Sequence, residues 1–221
     1  GGMNGVEIVE SFFSGTVEGS IAGGIVGRYG MFSVTDPNTI AYCYSAGTVK
    51  GIHPSGQAFA GGIAGLFNPT TDPLSHTIEA SYSIATVTCE SNSPTNSGYA
   101  GGITGMIGSY DTITDCLALN PSISGIGSPL STVVQRVVAY SAGTGLSGNK
   151  ARNGLTPTGT YTSDIGATGK DGETLANDPP QQTDFAALGD YFWTLFFDTP
   201  PSGWTYSYPV FQWQIEKGIQ P

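Results

Sequence analysis

Three times in its first 105 residues the chain repeats the same pair of signatures, and this periodicity limits the possible folds more than any other feature. The first signature runs from Ile8 to Val17 through Ser11, Phe12, Gly15 and Thr16. It returns from Ile40 to Val49 through Cys43, Tyr44, Gly47 and Thr48, and from Ile78 to Val87 through Ser81, Tyr82, Ala85 and Thr86. The second signature is Ala22-Gly23-Gly24-Ile25 closed by Gly27, then Ala60-Gly61-Gly62-Ile63 closed by Gly65, then Ala100-Gly101-Gly102-Ile103 closed by Gly105. A fourth, decayed copy runs from Ile113 through Cys116, Leu117, Ala118 and Ile123 to Arg136, Val137 and Val138, and a fifth begins at Leu146. The spacing between copies varies, which is the mark of constant short segments joined by loops of changing length.

None of the constant segments is long enough for a helix, and their β-branched residues and glycine boundaries suit short strands. Superposing the copies places Ile8, Ile40, Ile78 and Ile113 in one column. Val17, Val49, Val87 and Ile123 form a second, and Ile25, Ile63, Ile103 and Val137 a third. One copy cannot bury such residues alone, but stacked coils can, through parallel strands about 4.8 Å apart. The predicted fold is therefore all-β: a parallel β-helix of four to five coils over residues 1–151. A propeller is disfavoured because Trp193, Trp204 and Trp213 all lie outside the repeats, and helical arrays are excluded by the Gly-Gly pairs. The composition agrees, with 33 glycines, 14 prolines and only 11% charged residues.

The column Phe12, Tyr44, Tyr82 and Leu117 has two possible directions. Strict alternation from Ile8 points it inward. The neighbouring column Ser11, Cys43, Ser81 and Cys116 is small, however, as a narrow interior requires, and a bulge at residues 9–10 would turn that column in and the aromatic one out. The bulge is the favoured reading, and it makes Phe12, Tyr44 and Tyr82 the candidate ligand-binding residues, as an outer platform for a sugar or a protein. The plainer alternative is that the rings shelter the wall under a neighbouring segment.

With these residues in view, the pattern resembles the GLUG repeat of large extracellular and surface-anchored bacterial proteins, including adhesins and the non-catalytic part of immunoglobulin-A peptidases. The resemblance covers about residues 1–151. Two further stretches, Cys116 to Ser124 and Trp204 to Trp213, look like the late part of such proteins in gut Bacteroidetes. The resemblance implies a β-solenoid at a cell surface with no chemistry of its own. Two departures stand out. The family's usual Asn two positions after the Ile is replaced by Glu10, Tyr42, Ala80 and Asp115, and the fourth copy has lost its Gly-Gly pair, which predicts a distorted coil there.

Residues 152–221 form the second region, a polar excursion followed by an aromatic cap packed on the solenoid, with a short helix predicted from Thr183 to Trp193. Cys43, Cys89 and Cys116 are expected to be buried small fillers, because Cys43 and Cys116 lie two rungs apart, beyond the reach of a disulfide. His53 and His76 read as solvated loop residues. Gly143 to Gly148 matches a dinucleotide-binding pattern literally but reads as a turn between coils.

A formal charge of −10 argues against nucleic acid. No run of apolar residues is long enough for a membrane span, and the opening residues predict that any secretory leader or lipid anchor has been removed. The clustered carboxylates of β-helix hydrolases and lyases are missing from the sequence. The expectation is a non-enzymatic, extracellular surface or adhesion module that binds a glycan or a host protein, with no cofactor and no metal site. A carbohydrate-active β-helix enzyme and a purely structural spacer are the alternatives.

Overall fold

The structure, a computed structural model, describes residues 6–29, 37–67, 74–127, 132–177 and 211–219. The first coil contains β1 (Glu7–Val9), β2 (Phe12–Gly19), β3 (Ile21–Gly23) and β4 (Val26–Tyr29). The second contains β5 (Thr39–Ala41), β6 (Tyr44–His53), β7 (Ala58–Gly61) and β8 (Ala64–Phe67). In the third are β9 (Thr77–Glu79), β10 (Tyr82–Ser83), β11 (Thr86–Ser91), β12 (Gly98–Gly101) and β13 (Thr104–Ile107). The fourth holds β14 (Thr112–Thr114), β15 (Leu117–Ala118), β16 (Ile123–Gly127), β17 (Val133–Gln135) and β18 (Val138–Ser141). Partial rungs follow: β19 (Leu146–Ser147), β20 (Lys150–Ala151), β21 (Thr160–Tyr161) and β22 (Glu173–Thr174), and the short helix α1 (Gln212–Glu216) comes last.

Four parallel sheets run the length of this stack, a β-solenoid of about four turns. The first sheet is ordered β1-β5-β9-β14-β19 and the fourth β18-β13-β8-β4. Ile8 pairs Ile40, Ile40 pairs Ile78, Ile78 pairs Ile113 and Ile113 pairs Leu146, as the repeat predicts. Val17, Val49, Val87 and Ile123 form the second ladder in the second sheet. The third ladder is carried by backbone bonds in which Ile25, Ile63 and Ile103 donate to Ile63, Ile103 and Val137. Ile40, Ile63, Ile78, Ile103 and Ile113 are fully buried. The interior splits into one apolar body containing Ile40, Ile63 and Phe67 and another containing Ala60, Val87 and Val134. Beyond residue 151 the stack continues, since Thr160 pairs Val133 and Glu173 pairs Lys150. The helix predicted at Thr183 to Trp193 lies outside the described residues.

The first sheet turns into the second at a residue in the left-handed region, at the same place in every coil: Glu10 (φ 47°), Tyr42 (57°), Ala80 (49°) and Asp115 (52°). For a residue with a side chain this conformation costs about 1–2 kcal/mol. The next residue offsets that cost. Ser11 Oγ donates to Val9 C=O (2.8 Å), Cys43 Sγ to Ala41 C=O (3.2 Å), Ser81 Oγ to Glu79 C=O (2.8 Å) and Cys116 Sγ to Thr114 C=O (3.3 Å). A small side chain with one donor is required, and Ser and Cys both provide it. This is the bulge that the sequence suggested, and it points the small column inward and the aromatic column outward.

A second buried column precedes the first sheet. Val6 N–H donates to Asn38 Oδ1 (2.9 Å), Asn38 N–H to His76 Nδ1 (3.0 Å) and His76 N–H to Asp111 Oδ1 (3.2 Å). His76 is therefore not the solvated loop residue expected; it is fully buried, as are Asn38 and Asp111. Each side chain satisfies a backbone donor of the coil before it, and a buried N–H would otherwise be left unmet.

The three glycines of the second signature serve close approach between backbones. A Cβ on Gly61 would lie 2.5 Å from Thr104 Cα, one on Gly62 would lie 2.5 Å from Ser83 Cβ, and one on Gly65 would lie 2.7 Å from Ala22 C=O. The following coil obstructs both Gly61 and Gly62, and for Gly61 the Ala64 carbonyl of its own coil stands closer still. This corrects the expectation of a distorted fourth coil, where Gln135 and Arg136 replace the pair. Pairing there is regular, with Ile103 N–H on Val137 C=O at 2.9 Å, and the stretch is continued by Val137 N–H and Val138 N–H, which both donate to Lys170 C=O (3.1 and 2.9 Å). Arg136 joins this stretch to the segment around Asp171. It donates to Thr174 Oγ1 (3.0 Å) and Gly172 C=O (3.2 Å), and its backbone N–H donates to Asp171 Oδ1 (2.8 Å). Asp171 Oδ2 accepts from Tyr161 (2.9 Å) and from Asp164 N–H (2.8 Å).

Two outcomes are expected. Gly61→Ala lowers unfolding stability by about 3 kcal/mol through overpacking, whereas Gln135→Ala, the same position in the fourth coil, costs about 1 kcal/mol through loss of the bond from Gln135 Nε2 to Thr162 C=O; paired denaturant titrations check both. Cys43, Cys89 and Cys116 are free and buried, and burial pushes their pKa values up to about 11, 12 and 12. Because each thiol holds its proton more tightly folded than unfolded, its contribution is complete below about pH 9 and is lost as pH rises through the folded pKa. Stability is expected to fall above pH 9 by about 1.4 kcal/mol per pH unit for each thiol. Melts from pH 8 to 11 check the slope, and a non-reducing mass measurement should count three thiols.

Candidate functional site

The outer column Phe12, Tyr44, Tyr82 and Leu117 sits in register on the second sheet. Its rings stack face to face, Phe12 on Tyr44 at 5.4 Å between centroids and Tyr44 on Tyr82 at 5.2 Å. The direction is the expected one, but openness is not. Phe12 is 45% exposed, while Tyr44 and Tyr82 are at 0%.

The C-terminal segment covers them. Phe211 stands 5.2 Å from Tyr82 and Trp213 6.1 Å from Tyr44, and the two covering rings stack on each other at 5.8 Å. Polar contacts fix the seat: Tyr82 Oη donates to Gln214 Oε1 (3.2 Å) and Trp213 Nε1 donates to Tyr42 C=O (3.1 Å). Lys217 closes the end, 3.5 Å from Glu10 and 5.3 Å over the Trp213 ring. The described part of the aromatic cap thus lies along the side of the solenoid. The carbonyl that Trp213 uses belongs to a left-handed corner residue, so the helix is seated on the strained turn itself.

A second outer aromatic face was not foreseen. On the third sheet Ile21, Phe59, Tyr99 and Val133 form one column, with Phe59 and Tyr99 stacked at 5.4 Å. On the fourth sheet Arg28, Leu66, Met106 and Tyr140 form another. The glycines of the second signature let the two sheets fold close at a re-entrant outer corner, and there the columns meet: Tyr99 and Tyr140 stand edge to face at 5.7 Å. Phe59 and Leu66 are buried at the floor, Tyr99 and Met106 are half-buried, and Tyr140 is 43% exposed at the rim. A sequence signal existed, because the residue before Ala-Gly-Gly is Ile21, Phe59 and Tyr99 in successive copies. The signal is weak because the position is aliphatic in one copy and aromatic in the other two.

Other polar groups serve the fold. His53 is not the solvated loop residue expected: it ends β6, half-buried, and its Nδ1 accepts from Ser55 N–H (3.2 Å) and Gly56 N–H (2.7 Å), which shapes the loop that follows. Of the turn expected over Gly143 to Gly148, Gly143 to Gly145 lie between β18 and β19, whereas Leu146–Ser147 forms β19 itself. Lys50 meets Glu90 at 3.9 Å on the surface. Among the described residues no group of three or more His, Cys, Asp or Glu side chains could hold a metal ion, and no helix is long and apolar enough to cross a membrane.

No family model matches the chain, and no curated protein sequence does. Among solved structures it is similar in fold to a putative immunoglobulin A1 protease from Bacteroides ovatus, with a TM-score of 0.62 and 22% identity. The match covers 94% of this chain and 57% of that one, so the chain spans little more than half the length of its neighbour. At this identity the likeness shows the β-solenoid fold.

Trp213→Ala is expected to lower stability by about 3 kcal/mol, as the loss of a buried aromatic does. It should also make Tyr44 accessible, and tyrosine-directed surface labelling compared between variant and parent checks this.

Proposed function

We propose that this chain is a non-catalytic, extracellular β-solenoid module of the GLUG-repeat kind that binds a glycan or a protein at a cell surface. The observation that carries the reading is the open aromatic corner of Tyr99, Met106 and Tyr140 over Phe59 and Leu66. Tyrosine rings meeting edge to face, with Tyr140 43% exposed, offer an apolar face and polar tips together, the combination used for sugars and for protein hot spots. Of the column first expected to bind, Phe12 remains available, while Tyr44 and Tyr82 are assigned to holding α1 in place. The cell-surface placement rests on the repeat resemblance and agrees with the Bacteroides fold neighbour.

A second reading, an enzyme, is favoured only by the protease in that neighbour's name. Both are addressed by one set of measurements: a glycan array and a host-protein screen with the parent and a Tyr99→Ala/Tyr140→Ala variant, beside assays for polysaccharide and immunoglobulin degradation. The expected result is binding that falls at least tenfold in the double variant, about 1.4 kcal/mol, with no degradation. Binding indifferent to the substitution removes the corner from the proposal. Cleavage of either substrate class favours the enzyme, and the absence of any ligand favours a spacer.

A further inference from the structure

The asparagines of the solenoid differ in burial and in what becomes of the nitrogen that follows them. Asn38 and Asn149 are fully buried, and the next nitrogen is committed to a ladder: Thr39 N–H donates to Val6 C=O (3.0 Å) and Lys150 N–H to Cys116 C=O (2.9 Å). Asn120 and Asn153 hold one position in successive coils, each two residues beyond the paired Ala118 and Ala151. Asn120 is fully buried and donates to Ser83 Oγ (2.9 Å) and Ala85 C=O (2.7 Å). It is followed by Pro121, whose nitrogen carries no hydrogen. Asn153 is half-buried and is followed by the exposed Gly154. Asn4, which also precedes a glycine, lies outside the described residues.

The turn at Asn153 leaves its chemistry open. Leu155 N–H closes the turn on Arg152 C=O at 3.4 Å, Gly154 sits at φ 75°, and among the described residues the Gly154 N–H has no acceptor. Glycine also brings no side chain to hinder its own nitrogen. The Asn153 side chain is held by one long bond, Nδ2 to Ala176 C=O at 3.4 Å, which ties this turn to the segment following β22. We infer that Asn153 is a site of spontaneous deamidation, with water as the co-reactant. The Gly154 nitrogen attacks Asn153 Cγ, and the new N–Cγ bond closes a succinimide ring. The Cγ–Nδ2 bond breaks, the proton of the attacking nitrogen passes to the departing amide, and ammonia leaves. Water then opens the ring at either carbonyl, giving aspartate or isoaspartate at residue 153 with no change of oxidation state. The product has a carboxylate where the donor was, so the bond to Ala176 C=O is lost and two acceptors face each other. The modification adds a negative charge and unties the segment after β22.

The whole protein is aged at mildly alkaline pH beside a synthetic peptide of the sequence Lys150 to Pro157, and both are followed by peptide-mapping mass spectrometry. Conversion at Asn153 is expected at a rate within about tenfold of the peptide's, while Asn38, Asn120 and Asn149 keep their amides. An aspartate and isoaspartate pair at residue 153 identifies the succinimide route. Asn153→Gln, whose longer side chain would have to close a larger ring, should stay unmodified. Hydrogen exchange of the amides from Thr174 to Asn177 should quicken in Asn153→Asp protein and in the aged parent alike. The inference is overturned by an intact Asn153 once the peptide has converted, by conversion of the buried asparagines as fast as Asn153, or by aspartate without isoaspartate. Exchange unchanged in both the Asp variant and the aged parent overturns the untying of the segment after β22.

Discussion

Every coil of this solenoid depends on one backbone constraint: a residue held left-handed between the first and second sheets, followed by a small donor bonded to the carbonyl two residues back. At Glu10, Tyr42, Ala80 and Asp115 the conformation is unfavourable, and it persists because Ser11, Cys43, Ser81 and Cys116 bond across the turn and the parallel ladders on either side fix the register. The turn reverses the inward–outward alternation. Ile on one side and Ser or Cys on the other can then both face inward, and the aromatic column is sent outside.

The glycines answer a different requirement, the thickness of the backbone itself. Where the third and fourth sheets meet, one coil lies against the next so closely that Gly61 and Gly62 leave no volume for a Cβ. The following coil supplies part of the obstruction, and for Gly61 the nearest atom is the Ala64 carbonyl of its own coil. In the fourth coil Gln135 and Arg136 take these positions, and Arg136 binds the segment around Asp171. The loss of the motif there leaves the coil regular.

The same corner geometry distributes the outer surface among distinct tasks. The rings of Tyr44 and Tyr82 are consumed in seating Phe211 and Trp213, so a feature that reads as a binding platform serves cohesion. The re-entrant corner keeps Tyr99 and Tyr140 near solvent.

What the sequence determined by itself is whatever the repeat encodes. The ladders of Ile40 and Ile78, Val49 and Val87, and Ile63 and Ile103, and with them the all-β solenoid, involve contacts between residues one coil apart, while the inward turn of the Ser/Cys column is a local feature that recurs in every coil. Such a contact is written several times along the chain, so its column can be read. The tertiary structure alone decided the seat of the C-terminal segment: the return of Trp213 to Tyr42, 171 residues away, and of Gln214 to Tyr82, 132 away. Each of these contacts occurs once, between segments whose distance along the chain follows no period. Nothing in local pattern or propensity specifies such a meeting, because its free energy exists only after the ladders have brought the two surfaces together.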